Sequence, residues 1–168
     1  MTATPRQFVL MKCPGGRDCA VAAVGTACNV SYAEAATALN HVDLPGPLES
    51  PILSNPWNLY RALVRLGFWK RNITLQMLLK GDCKPGETIV LVKGSQLEQH
   101  WVVWMGCHAE GWHLFYWGDN DRLRLYNNES VKKLFLTAWP NCAFQVYKAS
   151  VWRVWWERFK EKLTSWRR

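Results

Sequence analysis

The order of apolar and polar positions divides the chain into a helical first part and a stranded second part. After a short polar start, Cys13-Pro14-Gly15-Gly16-Arg17 reads as a loop, because proline and paired glycines interrupt regular structure. Asp18 fits a helix N-cap ahead of Cys19-Ala20-Val21-Ala22-Ala23-Val24, an alanine-rich run with no polar face. A helix apolar on every side is buried on nearly every side. It should stop near Asn29, and Ser31-Tyr32-Ala33-Glu34 forms a capping box that opens a second helix through about Leu39. Residues 41 to 56 hold four prolines and predict an irregular excursion. Asn55-Pro56 then starts a third helix, with Trp57, Tyr60, Leu63, Val64 and Leu66 as its apolar side and Gly67 as its C-cap. A short helical piece is expected at Leu75 to Lys80.

Beyond that point the period changes. Thr88 to Val92, His100 to Met105, Trp112 to Trp117, Leu123 to Tyr126 and Ala143 to Tyr147 are short runs rich in β-branched and aromatic residues. Turn signals separate them, and a small helix is expected near Ser130 to Leu136. Helices followed by strands predict an α+β fold, with N-terminal helices packed on a small antiparallel sheet. The sequence closes on an amphipathic helix, Val151 to Trp166, in which Trp152, Trp155, Phe159, Leu163 and Trp166 recur at helical spacing. The expected organisation is a domain over residues 1 to 149 and a basic, tryptophan-rich helix over 150 to 168.

Composition sharpens this picture. The chain has 168 residues, 49% of them hydrophobic and 20% charged, which excludes a disordered tail, a collagen-like fibre and a coiled coil. No apolar run reaches the length of a bilayer span, and no secretory signal is visible, so a compact cytoplasmic domain is expected. The net charge of +8 is uneven, because residues 148 to 168 alone contribute +5. Six cysteines lack regular spacing and contain no Cys-x-x-Cys pair. Cys107 and His108 are adjacent, and neighbours on a strand face opposite ways, so neither zinc nor disulfides are expected. Cys28, Cys83, Cys107 and Cys142 are read as core or loop packing, and His41, His108 and His113 as solvated.

Cys19 carries the candidate chemistry. It stands where a glycine-rich loop meets the first turn of a buried helix, and the unpaired N–H groups and helix dipole there favour a thiolate. The same N–H groups could hold an oxyanion when a carbonyl is attacked. The bland alternative is a small buried side chain. The best base is His100, which opens the strand His100-Trp101-Val102-Val103. Asp119 ends the following strand, so a hairpin could return it beside His100 to fix the imidazole tautomer, a role Asn120 or Asp121 could also take. The three stand in the order Cys, His, Asp, separated by 81 and 19 residues.

The stretches Asp18-Cys19-Ala20-Val21-Ala22-Ala23-Val24, Ser31-Tyr32-Ala33-Glu34, His100-Trp101-Val102-Val103 and Trp117-Gly118-Asp119 resemble the bacteriocin-processing cysteine peptidases. These are papain-like domains that cleave leader peptides after a double glycine, and the resemblance is closer still to their standalone relatives in bacteria and phages. It covers roughly residues 7 to 147, with short motifs. It implies a papain-like α+β fold, peptide-bond hydrolysis through a thioester and no cofactor. Position by position, Cys19 matches the nucleophile, His100 the base and Asp119 the orienting acid. Three positions depart from the family pattern. Ala20 replaces the glycine after the nucleophile, Asn120 replaces the proline after the acid, and Cys13 replaces the glutamine whose amide completes the oxyanion hole. A lost oxyanion donor typically costs about 10² to 10³ in turnover unless Gln7 or another group substitutes.

These departures leave two function classes open. The first is a thiol peptidase acting on a peptide or protein. The second is a catalytically lost relative, virion-associated or assembling through its C-terminal helix. For that helix, Trp152, Trp155, Trp156, Phe159 and Trp166 are the contact residues. The readings are docking on its own domain, a protein partner, an anionic membrane surface, and nucleic acid. Docking combined with a protein partner is the expectation, because Trp156 lies off the main stripe and adds apolar surface.

Overall fold

The computed structural model describes residue 10, residues 19 to 40, 56 to 93, 99 to 118, 121 to 136 and 143 to 156, and residue 159. In chain order the elements are α1 (Cys19–Cys28), α2 (Tyr32–Asn40), α3 (Pro56–Arg65), β1 (Phe68–Asn72), α4 (Leu75–Lys80), β2 (Thr88–Lys93), β3 (Gln99–Ala109), β4 (Trp112–Trp117), β5 (Arg122–Asn127), α5 (Asn128–Leu136) and β6 (Ala143–Lys148). A further helical stretch, α6, spans 151–156. The strands form one sheet in the order β1-β6-β2-β3-β4-β5, with every neighbouring pair antiparallel. This is the α+β arrangement expected from the sequence.

Two layers of side chains sandwich the sheet. On one face α1, α2 and α3 enclose Val21, Val24, Leu59, Leu63, Ile89, Trp101, Val103 and Phe144. On the other, α4 and α5 cover Leu78, Val90, Val102, Trp104, Phe115, Trp117 and Val131. Strand alternation sorts the two sets, since Trp101 and Val103 point one way while Val102 and Trp104 point the other. Each fully buried Leu, Ile or Val contributes about 1.5 to 3 kcal/mol.

Every residue of α1 after Cys19 is buried. Its alanines and Gly25 hold the helix close to β3, which lets its first residue reach the end of that strand. The capping box of α2 forms in full. The Ser31 N–H donates to Glu34 Oε2 at 2.8 Å, and the Glu34 N–H donates to Ser31 Oγ at 3.2 Å. Asn29, in the left-handed region at φ 55°, turns the chain between α1 and α2.

Several expectations change. The inward face of α3 is Leu59, Ala62, Leu63 and Val64, while Trp57 is 62% exposed and its ring is tilted against that of Tyr60. Strand β1 was not anticipated. It is an edge strand whose Arg71 is exposed, while the half-buried Lys70 reaches over the Tyr60 and Phe144 rings. Strand β3 runs on to Ala109, because register shifts beside Gly106, at φ +116°, carry the ladder past its break. The excursion over 41 to 55 lies outside the described residues.

Candidate active site

Cys19 is the first residue of α1 and is half-buried. Its sulfur accepts the backbone N–H of Trp101 at 3.4 Å, across 82 positions of sequence. That N–H belongs to the peptide group that joins His100 to Trp101, so the sulfur approaches the backbone at this point of β3. A backbone donor aimed at sulfur steadies negative charge there, and sulfur is the atom a thiol mechanism must charge. Helix α1 supplies the thiol and β3 the donor, while the His100 side chain leaves β3 toward Trp117, on the face opposite to that of Trp101.

The His100 side chain is half-buried, and its ring lies 5.5 Å from the Trp117 ring at 53°. Trp117 is the last residue of β4 and is itself buried, with the Arg124 guanidinium 4.7 Å from the centroid of its ring. Tilted aromatic packing of this kind is worth about 0.5 to 1.5 kcal/mol and limits how the imidazole can turn. Sequence reasoning missed Trp117. Its signal was available, since Trp117 stands two positions before Asp119 at the end of the strand paired with the His100 strand. Among the described residues, the buried Trp117 Nε1 has no hydrogen-bond acceptor.

Asp119 and Cys13 lie outside the described residues, as do Asp18, Asn120 and Gln7. Asp121, at φ 52°, accepts the Tyr116 hydroxyl at 3.0 Å, so the alternative orienting acid is engaged by a buried tyrosine.

At the opposite end of β3, two sequence expectations fail. His113 is not solvated but only 1% exposed, enclosed by the face that α5 covers, while His108 is exposed as expected. Cys107 is not packed away but exposed. Cys28 and Cys83 are buried as expected, and burial pushes the Cys83 thiol up to about 11, with the Asp82 carboxylate adding to the rise. Cys142 and His41 lie outside the described residues. Among the described residues, no group of three or more His, Cys, Asp or Glu side chains is arranged to hold a metal ion.

Among the described residues, the C-terminal tryptophans do not dock on their own domain. Trp152, Trp155 and Trp156 are 80%, 54% and 52% exposed. Phe159 stacks between Trp155 and Trp156, at centroid distances of 5.5 and 6.0 Å. The contact with the domain is made by Arg153, whose guanidinium lies 4.3 Å over the Trp69 ring. Trp166 lies outside the described residues. No described helix is long and apolar enough to cross a membrane.

No protein-family model matches the chain. No curated protein matches it by sequence. Among solved structures, it is similar to the peptidase domain of Streptococcus ComA, a bi-functional ABC transporter involved in a quorum-sensing pathway. The match has a TM-score of 0.59 at 18% identity and covers 86% of this chain and 100% of that domain. The chain therefore has the fold of a papain-like peptidase domain.

Proposed function

We propose that the protein is a thiol peptidase that cleaves a peptide bond in a peptide or protein substrate, with Cys19 as nucleophile, His100 as general base and then acid, and Asp119 as the residue that orients His100. The reading is carried by the hydrogen bond from the Trp101 N–H to the Cys19 sulfur, because it sets the sulfur beside the residue that follows His100. In this mechanism His100 takes the Cys19 proton and the sulfur attacks the scissile carbonyl. The α1 N-terminus, including the Cys19 backbone N–H, supports the oxyanion. His100 then protonates the leaving amine, and water attacks the resulting thioester with His100 again as base. Cys13 stands where the resembling peptidases carry an amide donor, so turnover should be slow. No metal or cofactor takes part in any of these steps.

The test is incubation of the full chain with a mixed peptide library, read by mass spectrometry. New cleavage products with the wild type, absent with Cys19→Ala and with His100→Ala, are expected. Products that persist unchanged in Cys19→Ala would overturn the assignment.

A second reading is favoured by one observation, the solvent-facing aromatic cluster of Trp152, Trp155, Trp156 and Phe159. Under it, the papain-like domain serves as a carrier and the C-terminal segment binds a protein partner in an assembly such as a virion. Removal of residues 150 to 168 should then abolish partner capture while Cys19→Ala leaves it intact. An anionic membrane or nucleic acid in place of a protein predicts loss of binding with added salt.

A further inference from the structure

The sheet ends on β5, and among the described residues its strand partner is β4 alone. In an antiparallel ladder, alternate residues turn both N–H and C=O away from the partner strand, so β5 presents a row of main-chain donors and acceptors along its outer side. The ladder with β4 runs without a register shift from the Trp117–Arg122 pair to the Trp112–Asn127 pair, and the strand contains no proline. Nothing in the backbone of β5 therefore bends or interrupts that row.

The pleat sorts the side chains of β5. Arg124 and Tyr126 lie on the face that α5 covers, with the Arg124 guanidinium against the Trp117 ring and the Tyr126 ring edge-on to Phe115 at 5.8 Å. Leu123 and Leu125 lie on the other face, opposite Tyr116 and Leu114. Helix α1 lies over β3, β2 and β6 on that face, and the two leucines stay 50% and 46% exposed. The exposed Trp112 extends the same apolar strip along β4.

Edge strands are ordinarily blunted by charge, proline, a bulge or a covering segment. In β5 the charge is of one sign, from Arg122 and Arg124, with no carboxylate in the strand. Among the described residues, neither arginine forms an ion pair. Like charges facing each other across a ladder destabilise it, whereas opposite charges support it. The two cations therefore turn away a second copy of this edge and admit a strand that brings carboxylates to them. The net charge of +8 on the whole chain acts in the same direction at longer range.

We propose that β5 is a docking strand for an extended segment of a partner polypeptide in which apolar residues alternate with Asp or Glu. Main-chain hydrogen bonds along the outer side of β5 supply affinity, and alternate side chains supply selectivity. The apolar positions extend the strip of Leu123 and Leu125, and the carboxylates meet Arg122 and Arg124. These four residues belong neither to the Cys19 site nor to the C-terminal aromatic cluster.

The test uses the full chain carrying Cys19→Ala and a fluorescent octapeptide of alternating valine and glutamate, read by fluorescence anisotropy. Two further peptides carry N-methyl groups on every valine or on every glutamate. Only one set of N–H groups can face β5, so one methylated peptide should lose at least about 10-fold in affinity while the other binds like the parent. Leu123→Thr combined with Leu125→Thr keeps strand propensity and should weaken the parent peptide by about 2- to 30-fold. Arg122→Glu should weaken the valine–glutamate peptide and strengthen a valine–lysine peptide, a reversal that attraction to the basic C-terminal segment cannot produce. No binding of the parent peptide overturns the proposal, as do equal affinities for the two methylated forms. Affinity that both sets of substitutions leave unchanged overturns it as well. A dimer in sedimentation that Leu123→Thr with Leu125→Thr dissociates would instead assign the edge to a second copy of the chain.

Discussion

The Trp101 backbone N–H points at the Cys19 sulfur across 3.4 Å, so the start of the buried helix and the start of the longest strand meet at one atom. This contact depends on the helix lying close to the sheet, which its alanines and Gly25 permit. Enlarging that helix face should therefore damage the site before it damages the fold. Ala23→Leu inserts methylene groups into a packed core, at a cost of about 1 to 3 kcal/mol. We expect Cys19 reactivity to fall in this variant even at temperatures where circular dichroism still reports the native fold.

Trp117 limits the motion of the His100 ring. Trp117→Leu keeps an apolar side chain at that position but removes the ring contact, worth about 0.5 to 1.5 kcal/mol. Peptide hydrolysis should fall by about 3- to 10-fold in kcat, with KM little changed. A loss confined to KM would place Trp117 in substrate binding instead.

The Ser31–Glu34 capping box holds the first turn of α2. Ser31→Ala should cost about 1 kcal/mol, measured by urea denaturation near neutral pH. Hydrogen bonds from the Ser31 side chain and backbone hold the Glu34 carboxyl below its ordinary value. A depressed carboxylate stabilises the fold above its unfolded-state pKa, and that stability is lost as pH falls through the folded value. The gap between wild type and Ser31→Ala should therefore narrow in acid, leaving the part due to the Glu34 N–H bond to Ser31 Oγ.

Cys83 provides a contrast in the opposite direction. Its thiol is raised to about 11, chiefly by burial. At pH 8 it should resist alkylation in the folded protein and label only on unfolding. A raised thiol contributes stability below its unfolded pKa, and this is lost as pH rises through the folded value. Cys83→Ala should therefore be less sensitive than wild type to alkaline unfolding between the ordinary thiol range and about pH 11.

Gly81 closes α4 in the left-handed conformation, at φ +75°, with its N–H bonded back to the Leu78 carbonyl. Gly81→Ala should destabilise by about 1 to 2 kcal/mol from backbone strain alone.

Local chemistry was the most legible part of the chain. The α1 boundaries, the Ser31–Glu34 box, the span of α4 and the span of β4 each depend on residues close in sequence. Strand β1 was hidden because an edge strand tolerates Lys70, Arg71 and Asn72, which carry no alternation. The bulge at Gly106 hid the length of β3 and the facing of Cys107, since it breaks the two-residue period on which facing is read. His113 was misjudged for a related reason. Its proximity to the Glu110-Gly111 turn suggested solvent, but the pleat of β4 sends it inward with Phe115 and Trp117. At the candidate site, the types of Cys19 and His100 were legible, whereas the Trp101 N–H was not, because a backbone donor has no sequence signature. The tryptophans of the C-terminal helix were spaced as a docking face, yet Arg153 makes the contact with Trp69.

The central claim is that Cys19 is a nucleophile served by His100. The most direct test is the rate of iodoacetamide labelling at Cys19, followed by peptide mass spectrometry at neutral pH in wild type and His100→Ala. The account predicts that Cys19 labels faster in the folded wild type than in the urea-unfolded chain, and that His100→Ala removes the difference while leaving Cys107 unchanged. Equal labelling of Cys19 in wild type and His100→Ala, at the rate of an unassisted thiol, would contradict it.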